Sequence, residues 1–155
     1  MKRILFISSS GGHLEQLLSL KQTMEAFDSF IVTEKNKTTQ NLNKKYKNVA
    51  YIPFFSRQNK WTFPLVFVGV FLKSIYLFFK IRPQVIVSTG AGCVIPMFLI
   101  GKLFGKKLIF IETFSRTDSK TLTGRICYLI ADSFIVQWKG LLNLYPKAKY
   151  FGSIY

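Results

Sequence analysis

Acidic residues, histidine and cysteine are scarce in this chain, and each shortage removes a class of function. Only 7 Asp and Glu stand against 22 Lys and Arg in 155 residues, and His13 is the one histidine. No His/Asp/Glu cluster with ligand spacing can be assembled from so few donors, so neither a metal site nor a cofactor is expected. The 2 cysteines, Cys93 and Cys127, lie far apart in sequence and match no zinc pattern. They read as reduced, buried thiols of a cytosolic protein. Long export signals are also lacking: Met1-Lys2-Arg3 is followed by only Ile4 to Ile7 before serines and glycines. That apolar stretch is too short for secretion, so the chain is expected on the cytoplasmic side. No repeat, low-complexity tract or linker divides it, so residues 1–155 read as one domain.

What is present is apolar and basic. Hydrophobic residues make up 49% of the chain and aromatics 16%, including 16 Phe, a bias opposite to that of disordered chains. The formal charge of +15 favours anionic partners: nucleic acid, acidic lipid headgroups or phosphorylated substrates. Basicity combined with Phe-rich apolar character points to an anionic membrane surface. A basic reading helix or an aromatic RNA platform is missing, so nucleic acid is not an expected partner.

Short apolar runs alternate with helical patterns. Ile4-Leu5-Phe6-Ile7 has the continuous apolar character of a strand buried on both faces. Leu14, Leu17 and Leu18 follow at helical spacing up to about Phe27. Strands are predicted at Ser29–Thr33, Val49–Ile52, Gln84–Ser88, Leu108–Ile111 and Phe134–Val136. Helices are predicted at 64–81, 91–104 and 122–131, with Asp118 and Ser119 as caps of the last. The lysine-rich stretch from Glu34 to Asn48 reads as a solvated loop with a short helix. This alternation predicts an α/β fold, a Rossmann-like parallel sheet with helices on both faces.

The segment at about 63–81 is the most apolar. Its run of seventeen positions falls short of the roughly 20 needed to span a bilayer. Lys73 near its middle would cost about 2.5–3.5 kcal/mol to insert. Gly69, Lys73, Tyr76 and Lys80 line one stripe. Three readings stand: an interfacial helix, a spanning helix or a core helix. The first assigns Trp61, Phe67, Phe71, Lys73, Phe78 and Lys80 to the membrane, with Arg57 and Lys60 beside Trp61 at the interface.

Two glycine turns follow strands: Ser8-Ser9-Ser10-Gly11-Gly12-His13 and Ser88-Thr89-Gly90-Ala91-Gly92. Neither is a Walker motif or a dinucleotide fingerprint. In a parallel sheet both would sit at the strands' carboxyl ends, where ligands bind, beside a polar loop at Glu112–Arg116. Glycine lets a ligand approach the backbone, and the helix starts present free N–H groups to anions. All four turn glycines also fit a purely structural role.

In order along the chain, Gly-Gly-His, Ser-Thr-Gly-Ala-Gly-Cys-Val-Ile-Pro, Ile-Glu-Thr-Phe-Ser-Arg, Phe-Ile-Val-Gln-Trp and Tyr-Pro-Lys-Ala-Lys-Tyr-Phe-Gly carry a resemblance spanning Lys2 to Gly152. The chain resembles the membrane-anchoring subunit of the two-part UDP-GlcNAc transferase of dolichol-linked oligosaccharide synthesis, and its bacterial capsule and exopolysaccharide relatives. The resemblance implies the N-terminal half of a GT-B glycosyltransferase, inactive without a separate catalytic GT-B C-terminal-half subunit that holds most UDP-sugar contacts. It implies a polyprenyl-pyrophosphate-linked saccharide as acceptor, and galactose or N-acetylglucosamine as donor sugar. The implied setting is the cytoplasmic face of the cell membrane. The eukaryotic members begin with a membrane helix that this sequence does not show, which favours peripheral attachment.

On that resemblance His13 becomes a candidate to contact an acceptor phosphate or take the hydroxyl proton. Glu112 either supports the site by hydrogen bonding or is a second proton acceptor. Ser10, Gly11, Gly12, Gly90, Gly92, Ser115 and Arg116 are the candidate acceptor and phosphate binders, Arg116 as a clamp. A non-catalytic tether that only recruits and activates the partner is the alternative.

Overall fold

A computed structural model describes residues 1–54 and 63–154. Arg57, Lys60 and Trp61, three of the residues assigned to the membrane interface, lie outside them.

Seven parallel strands form one sheet in the order β3-β2-β1-β4-β5-β6-β7. They are β1 (Arg3–Ser8), β2 (Asp28–Glu34), β3 (Val49–Ile52), β4 (Val85–Gly90), β5 (Lys107–Ile111), β6 (Ser133–Val136) and β7 (Lys149–Tyr150). Helices α1 (Gly12–Leu18), α2 (Lys21–Glu25), α3 (Phe63–Ile81), α4 (Ile95–Leu103) and α5 (Leu122–Ile130) join them. Strand alternation sends Leu5 and Ile7 into a core with Val70, Leu77, Phe78, Met97, Phe98 and Cys127, contributed by α3, α4 and α5. Ile4 and Phe6 point the other way, onto Leu14, Leu17 and Met24 of α1 and α2. Covering both faces is what makes β1 a continuous apolar run.

The helix ends have local causes. Pro64 sits in the first turn of α3, where its missing N–H is harmless. At the other end Arg82 takes a left-handed φ of 52° and donates its N–H to the Phe78 carbonyl at 2.8 Å. Pro83 then forbids continuation. Gly105, at φ 63°, closes α4, with Lys106 N–H returning to the Gly101 carbonyl at 2.8 Å.

Three expectations need correction. The single helix to Phe27 is two, broken at Ser19, whose hydroxyl donates to the Glu15 carbonyl and whose residue ends α1. Asp118 and Ser119 do not cap α5; Thr121 does, its Oγ1 accepting from Gly124 N–H at 2.8 Å. Phe78 is only 3% exposed and belongs to the core. It sits three positions before the end of α3, on the side facing the sheet.

α3 is long and apolar enough to cross a membrane, yet it is the crossover between β3 and β4, packed on the sheet through Val70, Leu77, Phe78 and Ile81. Its opposite stripe, Leu65, Val68, Leu72, Tyr76 and Phe79, is exposed. Lys73 and Lys80 flank that stripe, each holding its ammonium over the Tyr76 ring at 4.9 and 5.7 Å. Phe67 and Phe71 are half-buried at the margin. Leu103 and Phe104 at the end of α4 extend the apolar face, Phe104 packing edge-on to Phe79 with centroids 5.3 Å apart.

Candidate functional site

Strand order reverses between β1 and β4, and the two glycine turns leave the carboxyl ends of these two strands. That reversal opens a crevice at the sheet's edge. A cleft of about 460 Å³ lies there, lined by His13, Gly90, Gly92, Glu112, Arg116 and Lys120, and by Thr121 to Thr123 at the start of α5. A larger cavity, about 840 Å³, opens at the opposite edge beside Arg3, Asp28 and Lys45. Arg3 is paired there with Asp28 at 3.0 Å and Lys21 with Glu25 at 3.7 Å, and the cavity lies at the amino ends of β1 and β2, away from both glycine turns.

His13 is fixed by a reciprocal pair of bonds. Its Nδ1 lies 2.7 Å from the Thr89 carbonyl, and Thr89 Oγ1 donates to the His13 carbonyl at 2.6 Å. A carbonyl only accepts, so Nδ1 carries a proton, and in the neutral ring Nε2 holds the lone pair. Gly90 at φ 105° lies under the ring; a Cβ there would stand 3.0 Å from it. The second glycine turn therefore positions the imidazole, a role its sequence did not advertise.

Glu112 is 1% exposed and fully engaged. Thr113 N–H donates to Oε1 at 3.0 Å, Tyr145 OH to Oε2 at 2.8 Å, and the Thr121 hydroxyl lies 3.0 and 3.1 Å from the two oxygens. Burial and then the Glu112 charge push the Cys127 thiol and the Tyr145 phenol well up from their ordinary values. Gly124 makes room for the cluster, since a Cβ there would collide with Glu112 Oε2.

Buried glutamines brace the loop after β5. Gln16 Oε1 accepts from Phe114 N–H at 2.9 Å and from Gln137 Nε2 at 2.8 Å, while Gln137 Nε2 also reaches the Glu112 carbonyl at 3.0 Å. Gln137 Oε1 accepts from Ile154 N–H at 3.1 Å, tying in the C-terminal segment. Trp138 Nε1 donates to the Phe114 carbonyl at 2.7 Å. Gln137 and Tyr145 fall inside the motifs that carry the resemblance but had no role assigned from sequence, and Gln16 and Thr121 drew no attention. The available signal was a polar residue directly after an apolar strand, the place Gln137 shares with Glu112.

Ser10 does not keep its donors free for phosphate. Its N–H and hydroxyl both go to Glu34 Oε2, at 3.1 and 3.0 Å, because the first turn folds back on the end of β2. Gly11, at φ 76°, and Gly12 start α1 with nothing within 4 Å of an added Cβ. Ser115 is outside the cleft lining, its hydroxyl 3.0 Å from Thr113 Oγ1. Arg116 lines the cleft and donates to Ser119 Oγ at 3.3 Å; among the described residues it has no carboxylate partner. No three of His, Cys, Asp and Glu among the described residues are grouped to hold a metal.

The half-domain architecture has clear counterparts. MurG from Acinetobacter baumannii superimposes with a TM-score of 0.72 at 12% identity, over 90% of this chain and 43% of that one. MnaA from S. aureus, solved with UDP, gives 0.75 at 12% identity, over 99% and 46%. The chain thus spans about half the length of these structures and shares the Rossmann-like fold of the N-terminal half of GT-B glycosyltransferases. The UDP-N-acetylglucosamine transferase subunit ALG14 of Homo sapiens is 28% identical over 180 aligned positions, covering 97% of this chain and 82% of that protein. That of Schizosaccharomyces pombe is 27% identical over 175, covering 99% and 83%. Residues 3–154 match the family model described as "Oligosaccharide biosynthesis protein Alg14 like", and the chain belongs to that family.

Proposed function

We propose that this chain is the acceptor-binding, membrane-recruiting subunit of a heteromeric glycosyltransferase. A separate GT-B C-terminal-half polypeptide supplies most contacts to the UDP-sugar. The acceptor is a polyprenyl-diphosphate-linked saccharide, and the setting is capsular or exopolysaccharide synthesis at the cytoplasmic membrane face. Support for the two-subunit reading comes from the family, whose relatives are named as subunits of a UDP-N-acetylglucosamine transferase.

The observation that carries a catalytic contribution is His13, held by Thr89 with Nε2 as the free lone pair at the cleft. An acceptor hydroxyl gives its proton to Nε2 while its oxygen attacks the sugar's anomeric carbon. The bond from that carbon to UDP breaks, and UDP leaves with the electron pair. Glu112, with both oxygens bonded, holds the start of α5 against the β5 loop and is a positioning residue. The acceptor saccharide lies between the Gly11-Gly12 turn, whose backbone is open to approach, and the Gly90–Gly92 turn, which lines the cleft beneath His13. The exposed stripe of α3 and its lysines rest on anionic headgroups, α3 lying in the interface rather than crossing it.

The test is reconstitution. Purified chain alone should transfer no sugar from UDP-GlcNAc or UDP-galactose to a polyprenyl-diphosphate saccharide, and adding the partner should restore transfer. Robust transfer by the chain alone overturns the half-enzyme reading. In the complex, His13→Ala should lower kcat by about 10²–10⁴; unchanged kcat at saturating partner would leave only the tether.

A further inference from the structure

The first glycine turn is poorly equipped to hold a diphosphate. Helix α1 is only seven residues long, and Ser10 has given both donors to the Glu34 carboxylate. The opposite wall of the cleft differs. Helix α5 has nine residues, and its cap bond goes from Gly124 N–H to Thr121. Leu122 and Thr123 precede that bond, and their N–H groups have no acceptor among the described residues. Thr123 is only 6% exposed, lines the cleft, and its hydroxyl likewise has no partner there. The sealed hydroxyls without a partner among the described residues are those of Ser8, Thr33 and Ser74; that of Thr123 stays open at the cleft, where a ligand can meet it.

The charges agree. Lys120 and Arg116 line the same cleft. Lys120 holds its ammonium 5.0 Å from the Tyr145 ring centroid rather than on a carboxylate. Glu112 is the acid at hand, and its oxygens already receive the Thr121, Tyr145 and Thr113 donors.

We infer that the first turn of α5 seats a diphosphate, bound by the N–H groups of Leu122 and Thr123 and by Thr123 Oγ1, with Lys120 and Arg116 neutralising it. The helix terminus and the two cations act on the same anion. His13 stands on the facing wall, so a ligand anchored here by its diphosphate extends its saccharide towards Nε2. This assignment rests on the proposed transferase reading and names the anchor within it. A diphosphate can come from the lipid-linked acceptor or from UDP, and the experiment separates them.

The full chain is titrated calorimetrically with inorganic pyrophosphate at low salt. Thr123→Val should weaken binding about tenfold and Thr123→Ser within about twofold, the loss of one hydrogen bond to a charged group. Lys120→Gln with Arg116→Gln should weaken it more, with only a small fall in Tm from the lost Lys120 contact with the Tyr145 ring. Competition by farnesyl diphosphate and not by UDP assigns the site to the acceptor, and the reverse assigns it to the donor. Pyrophosphate binding that is absent in the wild type, or equal in all variants, overturns the subsite. In the reconstituted complex the same variants should raise the KM of whichever substrate the competition assigns to the site, with little change in kcat. Unaltered KM in an active complex overturns the subsite and leaves the transferase standing; an inactive wild-type complex overturns the transferase instead.

Discussion

At the residue scale, His13 depends on its neighbours more than on its own place in the chain. The carbonyl of Thr89 sets the tautomer, and the missing side chain of Gly90 leaves room for the ring. Gly90→Ala puts a methyl 3.0 Å from the imidazole in a backbone conformation that L side chains rarely adopt. Transfer by the complex should fall about a hundredfold, as expected for a misplacement near 1 Å, which steady-state kinetics would read. Tyr145 is buried and donates to Glu112 at 2.8 Å. Tyr145→Phe leaves that carboxylate one donor short and should cost about 1–3 kcal/mol in denaturant unfolding.

At the element scale, α3 shows two faces on one cylinder. Leu77, 3% exposed, faces the sheet, and Leu72, 61% exposed, faces away. Leu77→Ala should destabilise the protein by about 2–5 kcal/mol. Leu72→Glu should change stability by no more than about 0.5 kcal/mol while weakening binding to vesicles containing anionic phospholipid. Flotation and chemical denaturation of both variants check the pair; equal vesicle binding by Leu72→Glu and the wild type would contradict an interfacial role. The composition of α3 announces a membrane or a core. Which residue faces which follows only from how the helix settles on β1 and β4.

At the scale of the whole molecule, charge is distributed unevenly. No acid occurs between Glu34 and Glu112, an interval holding 13 of the 22 Lys and Arg together with α3 and α4. Vesicle binding should therefore weaken steeply between low and physiological salt, where the screening length is about 8 Å. Stability should depend on pH in the alkaline range. Burial raises the Cys93 and Cys127 thiols and the Tyr145 phenol, so each stays protonated in the fold after the unfolded chain has begun to ionise. Their contribution is complete below about pH 8.5, the cysteine value in an open chain, and is lost as pH rises beyond it. The urea midpoint should fall between pH 7 and 10, and less so in Cys127→Ala.

The alternation of strands and helices, the parallel sheet, the two glycine turns at one rim and the family are all legible in the order of residues. Those follow from local rules: the period of apolar residues, prolines that stop helices, glycines that permit tight turns. Which polar groups are already spoken for emerges only once the chain has folded. Glu34 meets Ser10 across 24 residues, and Gln137 meets Gln16 across 121. Such pairings leave no periodic trace, because they depend on strand order rather than spacing. For the same reason Ser10 looked available and is not, Phe78 looked like a lipid contact and is core, and Thr123 gave no signal until the fold left its hydroxyl unpartnered in the cleft.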